Sequence, residues 1–208
     1  MEPIVLDCGW LRLRPWRAGD ADAVWAALQD PSIRLWNGGG VGSRDEAAAL
    51  VARRADWESG THASWAVVGS DDGLLASVSL HSIDAVQGDA EIGYWTAPAA
   101  RGRGVATVAV DTACRWAFGA LAVDRIELCH AVENAASGRV AEKAGFTFEG
   151  RLRRSYRYGD GLKHDELLWA RLSDDPVPPV SSRGAGPAGS SPPSPPSRPG
   201  PGPAGRPS

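Results

Sequence analysis

Arg101, Gly102, Arg103 and Gly104 stand in a row between a run with strand character and a run with helix character, a grouping suited to holding a diphosphate. The preceding run, Ala90-Glu91-Ile92-Gly93-Tyr94-Trp95-Thr96, is rich in strand-favouring types and stops at Pro98. From Val105 onward, Val108, Ala109, Thr112 and Trp116 recur at helical spacing. The loop therefore opens a helix N-terminus, where the first backbone N–H groups lack partners and the helix dipole adds roughly half a positive charge. Glycine lets phosphate oxygens approach the backbone without meeting a Cβ, and Arg101 and Arg103 are placed to add charge-assisted contacts.

More than one phosphate ligand fits such a loop. A nucleoside-triphosphate loop needs Lys and Ser or Thr directly after its last glycine, and Val105 and Ala106 stand there instead. A dinucleotide loop needs a third glycine and a place after the first strand; here Thr107 fills the third position, in mid-domain. Asp124 has the sequence distance of a ribose-binding carboxylate but precedes its strand instead of ending one.

The elements that must position this loop are legible on either side of it. Trp10 to Arg14 alternates as an opening strand, and Asp20 offers an N-cap for a helix through Val24, Trp25 and Leu28 that closes near Asp30-Pro31. Leu35 and Trp36 follow in a loop. Ser43-Arg44-Asp45-Glu46 has capping-box spacing and starts a second helix running to about Ser59. Three strands, 64–68, 74–82 and 90–96, form an antiparallel meander with turns at Asp71-Asp72-Gly73 and Gln87-Gly88-Asp89. After the loop and its helix come a strand from Arg125 to Val132, a short helix capped by Asn134 and stopped at Gly145, and strands 146–153 and 166–172 around Gly159-Asp160-Gly161. The order implies one α/β domain with a mixed, mostly antiparallel sheet flanked by helices.

Composition narrows the setting. Twelve of the sixteen prolines fall in 173–208, which has no aromatic residue, Leu or Ile, so the expectation is a domain over 1–172 and a disordered Pro/Gly/Ser-rich tail. The net charge of -3 comes without a Lys/Arg block, which argues against nucleic acid as a partner. No run approaches the ~20 apolar residues of a membrane span and the start lacks a basic signal opening, so a cytoplasmic location is expected. Cys8, Cys114 and Cys129 are odd in number and widely spaced, reading as free buried thiols with no metal pattern. His130 alternates with Ile126 and Leu128 and reads as a packed histidine, and Trp16, Trp25, Trp65 and Trp116 read as core.

With Arg101, Gly104 and Ala106 in place, the loop resembles the acetyl-CoA motif Gln/Arg-x-x-Gly-x-Gly/Ala of the GNAT superfamily of N-acetyltransferases. Asn134-Ala135-Ala136-Ser137 running into Lys143-Ala144-Gly145-Phe146 resembles that family's second motif, over a region from 10 to 172. Phe148-Glu149-Gly150 and Asp165 to Trp169 resemble the branch containing the ribosomal-protein N-terminal acetyltransferases.

The resemblance implies that acetyl-CoA is the co-substrate. Trp95 and Thr96 pair their backbone with its pantetheine arm, the loop Arg101, Gly102, Arg103, Gly104, Val105 and Ala106 holds its diphosphate, and Asn134 and Ser137 stand near the thioester. Family members often carry a tyrosine on the Ser137 helix; this chain does not, leaving Ser137 to serve the departing thiolate. Glu91 is the first choice of general base and reads equally as a strand-edge carboxylate; Ser155 and Tyr156 stand where some members place a carboxylate. Leu35, Trp36, Tyr156 and Tyr158 are the candidate walls for the acceptor. Deprotonating a lysine amine costs roughly 3.5 kcal/mol more than an α-amine, so a site without a strong base suits a peptide or protein N-terminus. A small amine such as an antibiotic or polyamine, or a non-catalytic acetyl-CoA-binding module, are the alternatives. The acting unit is expected to be a monomer or homodimer.

Overall fold

The computed structural model describes residues 1–37 and 40–179. The tail beyond 179 lies outside the described residues. Eight strands form one sheet in the order β1 (Leu6–Asp7), β2 (Arg12–Pro15), β3 (Ala63–Val68), β4 (Leu74–Asp84), β5 (Asp89–Thr96), β6 (Arg125–Ala131), β8 (Lys163–Leu172), β7 (Thr147–Arg157). Every neighbouring pair is antiparallel except β5 with β6. That parallel pair needs a crossover, which α4 (Val105–Ala120) supplies.

Helices cover both faces. On one, Val105, Val108 and Ala113 of α4 pack on Leu80, Ile92, Ile126 and Leu128, together with α5 (Ala135–Lys143). On the other, α1 (Ala21–Ala27), α2 (Pro31–Trp36) and α3 (Arg44–Ala55) bring Val24, Ile33, Ala47 and Val51 against Ala66, Val68 and Trp95. Alternation along β5 sorts its residues accordingly. Ala90 and Ile92 belong to the α4 core, with Tyr94 packed against it, whereas Trp95 belongs to the other.

Several local expectations are corrected. Asp30-Pro31 does not merely end a helix: the Asp30 carboxylate accepts from Ile33 N–H at 3.0 Å, and Pro31, needing no N–H partner, occupies the first turn of α2. Leu35 and Trp36 are thereby helical. Asp20 precedes α1 but does not cap it with its side chain; its carboxylate takes the buried Arg14 guanidinium at 2.8 and 2.9 Å and the Arg17 N–H. The α3 box closes one residue early, with Ser43 Oγ accepting from Glu46 N–H and Glu46 accepting from Gly42 N–H.

Among the tryptophans, Trp16 and Trp65 are buried while Trp25 and Trp116 are half-buried; Trp57, unnoticed in the sequence, is fully buried edge-on to Trp65. All three cysteines are free, but only Cys114 is buried. Cys129, two residues past the last β5–β6 pair, is exposed. His130 is buried, with Nδ1 on the Ala131 carbonyl at 2.8 Å and Nε2 accepting from the Trp169 indole at 3.1 Å.

Candidate active site

The pairing of β5 with β6 runs only from Asp89, Ala90 and Glu91 to Arg125, Ile126 and Glu127. Past that point the strands part, and a cavity of about 590 Å³ opens toward the α4 N-terminus. Its walls include Trp95, Thr96, Arg101, Gly102, Gly104, Val105 and Ala106 on one side and Asn134 and Ser137 on the other. Gly104 and Ser137, one from each motif and 33 positions apart in the sequence, thus line one cleft.

The loop's backbone is suited to an anion. Gly102 and Gly104 have φ of +75° and +80°, a left-handed conformation costly for any residue with a Cβ. The first α4 bond runs from Val108 N–H to the Gly104 carbonyl, so the N–H groups of 105–107 have no partner among the described residues. The side-chain expectation is corrected. Arg101 turns its guanidinium to Asp30, Nη2 to Oδ1 at 2.6 Å, which with the Ile33 N–H holds that carboxyl below its usual range. Arg103 is exposed and is not part of the cavity wall. The loop offers N–H groups more than guanidinium groups.

Opposite the loop, Asn134 Oδ1 accepts from Ser137 N–H at 3.3 Å and fixes the first turn of α5. Ser137 Oγ shares a 2.7 Å hydrogen bond with the Tyr94 hydroxyl. Tyr94 was not among the expected site residues. The tyrosine that family members often carry on the helix comes here from the strand; the period of two that sets Ala90 and Ile92 toward α4 also sets Tyr94 there. Burial pushes its hydroxyl up to about 12, against the hydrogen bond from Ser137, so it keeps its proton throughout the neutral range.

The other face carries a second cavity of about 600 Å³ that meets the first at Trp36, Tyr94, Trp95, Cys129 and Tyr158. Glu91 stands in it, half exposed and 3.3 Å from His81 Nε2, together with Tyr156 and Tyr158. Leu35 is corrected: it lines neither cavity, and its carbonyl instead accepts from Gly159 N–H at 2.9 Å, fastening α2 to the β7–β8 hairpin. Glu166 is a second unexpected residue. Buried, it accepts from Tyr158 Oη at 2.9 Å and from Ser155 Oγ at 2.7 Å, so where β7 lacks a carboxylate β8 supplies one. Burial first, and then Glu166, raise the Tyr158 hydroxyl well above its ordinary range. No cluster of metal-ligating side chains occurs among the described residues, and no helix there is long and apolar enough to cross a membrane.

A model of the acetyltransferase (GNAT) domain matches residues 11–147. The chain belongs to the GNAT family. Within it, 102 residues are 38% identical to YdaF of Bacillus subtilis (strain 168), which bears the name of a ribosomal N-acetyltransferase; the match covers 49% of this chain and 55% of YdaF. The ribosomal-protein-serine acetyltransferase of Escherichia coli (strain K12) is 27% identical over 54% of this chain and 63% of its own length. The chain thus spans little more than half of these relatives. Among solved structures, RimJ of Mycobacterium smegmatis in complex with CoA-disulfide superposes with a TM-score of 0.72 at 25% identity, covering 83% of this chain and 90% of that one.

Proposed function

We propose that this chain transfers the acetyl group of acetyl-CoA to the α-amine of a peptide or protein N-terminus, by direct attack in a ternary complex. The observation that carries the reading is the gap beyond Glu91 and Glu127, which opens at one end on the unpartnered N–H groups of α4 and at the other on the acceptor cavity. The gap fits a pantetheine arm, because the vacated edges of β5 and β6 present backbone donors and acceptors. The N–H groups of 105–107 fit its diphosphate. When bound, acetyl-CoA supplies an activated thioester.

The chain's own residues account for the rest. Trp95 and Thr96 align the arm through their backbone, Tyr94 with Ser137 carries the proton for the departing sulfur, and backbone N–H groups on the splayed strand stabilise the oxyanion. Glu91 takes the amine's proton from the acceptor cavity, directly or through water. Trp36, Tyr156 and Tyr158 hold the acceptor. The free cysteines suit a reducing cytoplasm, where a monomer or homodimer would act.

A thiol-release assay with acetyl-CoA across peptides, lysine side-chain amines and small amines tests this reading. Peptide N-termini are expected to give the highest kcat/KM. Comparable values on a lysine amine at neutral pH would reject the α-amine assignment, and binding without turnover on any acceptor would reject the enzyme. Gly104→Asp, which strains the loop and sets a negative charge at the α4 N-terminus, should abolish acetyl-CoA binding in calorimetry; unchanged binding would refute the diphosphate site.

A further inference from the structure

The acceptor cavity holds a guanidinium that nothing in the mechanism uses. Arg54 lies at the end of α3, and its Nη1 donates to the Ser77 hydroxyl on β4. Its carbonyl is taken by the Trp57 indole and its guanidinium packs 5.9 Å from the Trp16 ring centroid. No carboxylate pairs with it among the described residues. A guanidinium has five donors, and a hydroxyl satisfies one of them. Ser77 lies opposite Trp95 in the ladder, and the Trp95 indole N–H is buried with no partner among the described residues. One end of the cavity therefore concentrates donors lacking acceptors.

The other end is acidic. Glu91, Glu127 and Glu166 line the same cavity, and Glu91 lies opposite His81, four residues along β4 from Ser77. Four strand residues span roughly 13 Å, so cationic and anionic groups occupy opposite ends of one elongated space. Such a field orients an acceptor that carries an amine and an anion.

We infer that Arg54 is a specificity-determining residue that receives a carboxylate on the second side chain of the acceptor peptide, an assignment that rests on the peptide reading above. The spacing fits. Ser79 lies opposite Gly93, beside Tyr94, and Ser77 is two residues farther, roughly 7 Å. An extended peptide advances about 3.5 Å per residue, so an α-amine at the Gly93 level brings an acidic second side chain within reach of the guanidinium. Gly93 leaves this floor clear: a Cβ there would come 3.3 Å from the His81 ring. Desolvation, with the charge of Arg53 added, brings the Arg54 pKa down to about 10, in keeping with a half-buried cation that no carboxylate faces.

The test compares peptides that differ only at residue two, Asp, Asn or Lys, by CoA release with the full chain and with Arg54→Gln and Arg54→Glu. The wild-type chain should favour Asp over Asn by about tenfold or more in kcat/KM, the effect of one charge-assisted hydrogen bond. Arg54→Gln should bring that ratio to about one, and Arg54→Glu should turn the preference toward Lys. Circular dichroism and acetyl-CoA binding report whether each variant is folded. Equal turnover of Asp and Asn peptides by the wild type overturns the inference and leaves the peptide activity standing, as does an Asp preference that survives in a folded Arg54→Gln. Absence of turnover on every peptide overturns the peptide activity itself, and this assignment with it.

Discussion

Tyr94 and Ser137 join a strand to a helix across the cleft through a single 2.7 Å hydrogen bond. If the pair supplies the proton to sulfur, Tyr94→Phe should lower kcat by about a hundredfold, the scale of lost general-acid catalysis, with a small change in acetyl-CoA affinity. Because burial holds the Tyr94 hydroxyl near 12, its protonated form persists on the alkaline side. Activity should therefore stay level from pH 8 to 10 once the amine is free; a fall in kcat centred near the ordinary tyrosine value of about 10 would refute the assignment. The glycines and the two motifs were legible as site components because their chemistry is carried by backbone and local spacing. Tyr94 and Glu166 were not, because each meets its partners, Ser137 and then Ser155 and Tyr158, only through tertiary pairing.

Among the elements, the acceptor wall proposed above depends on how α2 meets the β7–β8 hairpin. Gly159 donates to the Leu35 carbonyl, and a Cβ at Gly159 would stand only 2.1 Å from the Arg34 carbonyl oxygen, so glycine is required there by contact with backbone. Gly159→Ala should part the two elements, lowering stability by roughly 2 kcal/mol in thermal or denaturant unfolding. It should also raise KM for the acceptor while leaving acetyl-CoA affinity near the wild-type value, since the loop before α4 is not touched. An unaltered acceptor KM in the folded variant would show that α2 does not shape the acceptor site. Strands and long helices could be read from periodicity, whereas α2, six residues long, could not. Its existence rests on Asp30, which read as a terminator yet caps the next helix and clasps Arg101.

For the molecule as a whole, the two-sided core gives acid sensitivity a definite source. Burial holds the His130 pKa below the ordinary 6.5, although its backbone hydrogen bond opposes the shift. The unfolded chain takes up this proton near pH 6.5 and the folded chain only at lower pH. The stability contribution is thus fully present above 6.5 and is lost as pH falls toward the folded value. His164, paired with Asp160 and Glu133, has a raised pKa and the opposite sign, contributing below 6.5 and fading as pH rises through its folded value. In a His164→Asn background the melting temperature should fall as pH drops from 7 to 5.5, and the His130 ring resonance should titrate below 6.5. A ring that titrates above 6.5 would contradict the buried neutral form.

The early divergence of β5 from β6 gives the sheet an internal edge, and hydrogen exchange can read it. Amides between 92 and 96 that face this edge lack the ladder that protects their neighbours on the β4 side, so in the free chain they should exchange rapidly although they lie at the centre of an eight-stranded sheet. Adding acetyl-CoA should slow those amides selectively while the β3–β4 ladder stays unchanged. That outcome would mean that acetyl-CoA completes a hydrogen-bonded ladder that the polypeptide alone leaves interrupted.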